Sequence, residues 1–155
     1  MKRFIIAILA LVFLALPPLA PAASVVDMAY APLTPASKWK VVTITWTAHT
    51  NGTVTSEAFS DNGFTQDIPA NIQYAVTDPG ATAPTDNYDI TITDALGNDV
   101  FGGELMNRDT STSESAEPAI PYIRVNLKDL NFNLSGNSQN GATGVVKIYV
   151  YVKRD

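Results

Sequence analysis

The chain has 155 residues, with 10 Lys+Arg against 15 Asp+Glu, a net charge of −5, 46% hydrophobic residues and no cysteine. That length suits one domain, and the acidic balance argues against a nucleic-acid partner held by its phosphates. Without cysteine there is neither a disulfide nor a thiol for N-terminal lipid anchoring, so the fold rests on its hydrophobic core alone.

Residues 1–22 read MKRFIIAILALVFLALPPLAPA. Lys2 and Arg3 precede an apolar run from Phe4 to Leu16, prolines follow, and Ala20 and Ala22 supply the small residues of an A-x-A site. This is the order of a cleavable secretory signal. A membrane anchor is the competing reading, but a spanning helix needs about 20 apolar residues, and Pro17 and Pro18 interrupt this one. The expected product begins at Ala23, is periplasmic or extracellular, and has no membrane association after cleavage. Loss of Lys2 and Arg3 leaves eight basic against fifteen acidic residues, a net charge of −7.

Residues 23–37 are rich in Ala and Pro and lack a sustained period, which predicts a lead-in arm able to cover a sheet edge. A single domain is expected over 38–155. It opens with Val42, Ile44, Trp46 and Ala48 on one face and Thr43, Thr45 and Thr47 on the other, the alternation of a half-buried strand. Asn51-Gly52 is a strong hairpin signal, so a second strand over 54–59 is expected to return beside the first. Further strands are predicted where Ile72, Tyr74 and Val76 alternate, where Tyr88, Ile90 and Ile92 alternate, and where Leu130, Phe132 and Leu134 alternate. Shorter ones are predicted over 99–101 and 122–127. The last, VVKIYVYVK, sets Val146, Ile148, Val150 and Val152 against Lys147, Tyr149, Tyr151 and Lys153. It is the natural edge candidate, because lysines on an edge discourage unwanted pairing.

The segments between these strands are dense in turn formers, and nothing after the signal sustains a helical period. The fold class is therefore all-β: a two-sheet sandwich of immunoglobulin-like or jelly-roll type with seven to eight strands. A small closed barrel is the alternative.

The acids and amides of NYDITITDALGNDVFGGELMNRDT, residues 87–110, raise a functional question. Asp89 falls on the solvent face of its strand, and Asp94, Gly97, Asn98 and Asp99 suit a tight connection. Gathered with Asp78 and Asp86, these carboxylates could offer calcium hard oxygen ligands, but the EF-hand spacing is absent. Gly102-Gly103 has no lysine or helix start in phosphate-loop order and fits a bulge or strand end. His49 flanks the Asn51-Gly52 turn, no G-x-S-x-G element occurs, and Glu114 and Glu117 lie in a TSTSESAEP stretch that resembles a solvated tether. The sequence thus points away from an enzyme, and no catalytic, cofactor-binding or metal-binding residue is assigned.

The aromatics divide more cleanly. Trp39 and Trp46 take opposite faces, with Trp46 expected in the core. Trp39, with Tyr149 and Tyr151, is expected to form a contact surface or to lie under the N-terminal arm.

The residues DPG at 78–80, APTDNYDI at 83–90, D-x-x-G-x-D-V at 94–100 and NRDT at 107–110, with a looser match over 130–150, carry a resemblance. The pattern resembles small β-proteins encoded among the structural genes of tailed bacteriophages. The resemblance implies a virion-associated or assembly role through protein contacts, and brings no catalytic residues. The export signal is a departure from that group. Two functions follow: a non-enzymatic structural or interaction module that meets a protein partner or a copy of itself, and an exported module binding a glycan through Trp39, Tyr149 and Tyr151.

Overall fold

In the computed structural model, the described residues are 23–34 and 37–152. The expected signal at 1–22 lies outside them. They form two antiparallel sheets whose apolar faces share one core. The strands are β1 (Val25–Pro32), β2 (Trp39–Thr47), β3 (Glu57–Ala58), β4 (Pro69–Pro79), β5 (Asp89–Thr93), β6 (Glu114–Ala116), β7 (Arg124–Asn126), β8 (Asn131–Ser135) and β9 (Thr143–Val152). Nine strands are thus described, against the seven to eight expected, and the added ones are mostly short.

The larger sheet runs β1-β2-β9-β4-β6, with β7 also pairing β4, and the smaller runs β3-β8-β5. Both sheets keep open ends, so the barrel alternative is overturned and the two-sheet arrangement holds. Strand periodicity explains the core directly. Val42, Ile44 and Trp46 of β2 and Val146, Ile148 and Val150 of β9 share one buried cluster with Ile90, Ile92 and Phe132 of the smaller sheet and with Phe59, Phe101, Leu105 and Leu127 from the connecting segments. Trp46, expected inside, is buried there at 6.0 Å from the Tyr88 ring.

Several expectations are corrected by pairing that only the assembled sheets decide. The arm at 23–37 is not merely a cover: residues 25–32 pair with β2 along their whole length as the outermost strand. The Asn51-Gly52 turn does form, with the His49 amide donating to Thr53 and the Gly52 amide to His49. The chain beyond it does not return beside β2, however; β3 crosses to the smaller sheet and pairs β8. The cause is a competing partner, since β2 already has β1 on one side and β9 on the other.

Residues 99–101 are not a strand either. Only Thr93↔Asp99 forms a bridge, and a series of turns follows in which Gly102 and Gly103 take positive φ. The β9 strand, expected at an edge, lies centrally between β2 and β4. Its Lys147 and Tyr149 stand on the solvent face of the sheet rather than guarding an edge. Residues 114–116, read as tether, pair with β4.

The most consequential correction is in β4. Its pairing with β9 shifts between Ile72 and Tyr74, so that Gln73 and Tyr74 together oppose Tyr149. An inserted residue reverses every later side chain in a strand of period two. Ala70 and Ile72 are buried before the shift and Ala75 and Thr77 after it, while Tyr74 and Val76, expected on the core face, are turned outward.

Candidate functional site

The bulge places Tyr74 on the solvent face of the larger sheet, where the other outward aromatics stand. Tyr74 and Tyr149 are direct cross-strand partners, stacked with ring centroids 4.3 Å apart and planes 12° from parallel. Trp39 and Tyr151 are likewise direct partners, meeting edge to face at 5.6 Å. Directly opposed aromatic residues interact favourably across a pleated sheet. The structure therefore brings all three sequence-expected contact residues, Trp39, Tyr149 and Tyr151, onto one face and adds a fourth. Crowding of the two phenols raises the Tyr74 pKa, through loss of hydration first and the neighbouring Tyr149 second.

Residues of the segment 117–122 border this platform at Trp39 and Tyr74. Trp39, Gln73, Tyr74, Glu117, Pro118, Pro121 and Tyr122 line a pocket of about 190 Å³. Trp39 is 40% exposed and Tyr122 69%. Tyr122 also has φ of 58°, a left-handed conformation that disfavours a bulky side chain. Such backbone strain costs on the order of 1 kcal/mol and is concentrated at binding sites. Here it accompanies an aromatic ring left in water beside a half-exposed tryptophan.

Sequence reasoning missed Tyr74 and Tyr122 for different reasons. Tyr74 alternates with Ile72 and Val76 and so reads as core; only the bulge moves it. Tyr122 was legible in principle, because Pro118 and Pro121 mark an irregular segment in which an aromatic residue has no strand face to bury.

The acids of residues 87–110 have a different role. Asp94 Oδ1 accepts from the Leu96 and Asn98 amides, both at 2.9 Å. Its pKa is lowered by the Asn98 amide foremost and the Asn98 side chain next. Asp99 accepts from Phe101 at 3.0 Å and Gly103 at 2.7 Å, and Asp89 accepts from Asn107 at 2.9 Å. Asp109 accepts from the Ser111 amide and hydroxyl and the Thr112 amide, which hold its carboxyl down to about 2. These carboxylates fasten turns by receiving backbone donors.

Among the described residues, no group of three His, Cys, Asp or Glu side chains is placed to hold a metal ion. His49 hydrogen-bonds Thr50 and Asn51 of its own turn. Glu114 accepts the Asp109 amide at 2.7 Å and lies 3.6 Å from the Arg108 guanidinium, which ties β6 to the preceding turn.

The fold and this face define a two-sheet β-protein with an aromatic groove on the outside of its larger sheet. Comparison with protein-family models, with curated proteins and with solved structures returns no match.

Proposed function

We propose that this chain is a non-enzymatic interaction module and that the aromatic groove over β2, β9 and β4 is its contact face. The observation that supports this is the pairing of Trp39 with Tyr151 and Tyr74 with Tyr149 on a sheet's solvent side, beside the exposed Tyr122. Ring surface that stays in water adds nothing to the hydrophobic stability of the monomer. Covering the exposed parts of Trp39 and Tyr122 would contribute on the order of 5 kcal/mol before the costs of association.

In this reading the partner is a protein or a second copy, met outside the cytoplasm if residues 1–22 direct export. The resemblance to phage structural-gene products supports a virion location as the alternative. A glycan is the second reading. It is favoured by a pocket of about 190 Å³ whose lining joins Gln73 and Glu117 to Trp39, Tyr74 and Tyr122.

The test is a Trp39→Ala/Tyr122→Ser double variant of the full chain, checked for a Tm within about 5 °C of wild type. Both proteins are then compared for self-association by sedimentation, for retention on immobilised oligosaccharides, and for crosslinking to envelope or virion proteins. Loss of one of these activities in the variant supports the groove. Binding that survives the double substitution, or a wild type inert in all three assays, sets the proposal aside.

A further inference from the structure

The aromatic groove has a chemical character beyond its rings. In its lining Glu117 is the one charged group, and no lysine, arginine or histidine stands with it. Asp89, Asp94, Asp99 and Asp109 receive backbone donors in their turns. Glu117, by contrast, is exposed and has neither a hydrogen-bond nor an ion-pair partner among the described residues. The Gln73 side chain donates its amide nitrogen to the Asn71 carbonyl at 3.4 Å, which leaves its own carbonyl oxygen as an acceptor. The lining thus joins one negative charge and a free amide acceptor to the rings of Trp39, Tyr74 and Tyr122.

These properties select the same kind of ligand. Ring faces carry the negative part of the aromatic quadrupole and attract cations. An unpaired carboxylate attracts a cation and repels an anion. Guanidinium and ammonium groups offer hydrogen-bond donors and no acceptor, which complements a lining that supplies acceptors. Size narrows the choice further. The pocket, of about 190 Å³, falls below the roughly 300–1,000 Å³ of sites that enclose a whole small molecule, and suits one side chain. Two of its rings are restrained in advance, because Tyr149 stacks on Tyr74 and Tyr151 packs against Trp39. Such pre-ordering lowers the entropy lost on binding.

We infer that the groove receives a lysine or arginine side chain of the protein partner, with its cationic head at Glu117 and its stem against Trp39, Tyr74 and Tyr122. This rests on the groove being the contact face, and it names what the partner brings there. A partner surface that is basic at the contact also complements the net charge of −5 on this chain.

The probes are the capped tripeptides acetyl-Gly-Arg-Gly-amide and acetyl-Gly-Lys-Gly-amide, with acetyl-Gly-Gln-Gly-amide as the neutral control. Binding to the full chain is followed by NMR of the Gln73 amide and the Trp39 indole, with buried Trp46 as the internal reference. Both cationic peptides should shift these signals saturably, and the neutral one should not. Glu117→Gln and Trp39→Ala should each weaken the arginine peptide about two- to fivefold. Asp61→Asn, which removes an exposed charge outside the pocket, should leave it unchanged. Equal binding of the neutral peptide would overturn the inference, as would a wild type without binding at tens of millimolar or an equal loss in Glu117→Gln and Asp61→Asn. The groove itself is judged by the Trp39→Ala/Tyr122→Ser comparison. Partner binding that is lost in that variant but unchanged in Glu117→Gln refutes the cation and keeps the groove, whereas binding that survives the double variant removes both.

Discussion

Gly144 lies directly opposite Trp46 in the β2–β9 pairing. A Cβ built there would sit 2.5 Å from Trp46 Cζ2, 2.7 Å from Cε2 and 2.9 Å from Nε1. In an open strand, Gly→Ala would stabilise by about 0.4–1 kcal/mol through the unfolded chain. Here the methyl must displace a buried indole that has the second sheet behind it, and overpacking of that kind costs about 1–3 kcal/mol. The difference predicts that Gly144→Ala destabilises by roughly 1–2 kcal/mol, a Tm drop of about 4 to 8 °C for a domain of this size. Urea unfolding followed by tryptophan fluorescence and circular dichroism measures it.

The stronger form of the test is a double-mutant cycle. Trp46→Phe removes the atoms that the methyl would strike. It also removes the indole N–H, which is buried without a hydrogen-bond partner among the described residues. Gly144→Ala in that background should be nearly neutral, giving a coupling of at least about 1 kcal/mol. Additivity within about 0.5 kcal/mol, or a stabilising Gly144→Ala in the wild-type background, would refute the claim that indole volume is what excludes a side chain at 144.

Two further outcomes are expected. Gly52 combines φ of 82° with a Cβ position 2.5 Å from the Ser138 carbonyl carbon, whereas Gly63, at φ 91°, faces open space. Gly63→Ala should therefore cost only the conformational penalty of about 1 kcal/mol, and Gly52→Ala clearly more, as read from urea midpoints. Asp109 has its pKa lowered from 3.8 to about 2 by its turn donors. A lowered carboxyl contributes stability that is full above 3.8 and lost as pH falls toward about 2. Asp109→Asn should flatten the pH dependence of Tm across that interval, and an unchanged slope would show that the turn bonds do not persist in solution.

Parts of this protein were legible because period-two alternation is a local property. The core faces of β2, β5 and β9 read correctly from Val42, Ile44 and Trp46, from Ile90 and Ile92, and from Val146, Ile148 and Val150, since any sheet that buries one such residue buries the next but one. The all-β class and the outward direction of Trp39, Tyr149 and Tyr151 on their own strands follow from the same rule; that they share one face comes from the pairing of β2 with β9. The turn-forming roles of Asp94 and Asp99 were legible too, because an Asx side chain finds its donors two to four residues away.

What tertiary structure alone decided were choices among partners distant in sequence. Whether residues 25–32 hang free or close a sheet, whether the chain after Gly52 returns to β2 or crosses to β8, and whether β9 is edge or centre all depend on which strand competes best for a given edge. The bulge at Gln73 is the clearest case. Inserting one residue against Tyr149 reverses the faces of every residue that follows, takes Tyr74 out of the expected core row and completes the aromatic groove. Alternation in the sequence is the same with or without that insertion, because the register of β4 is set by its pairing with β9 and not by its own residues.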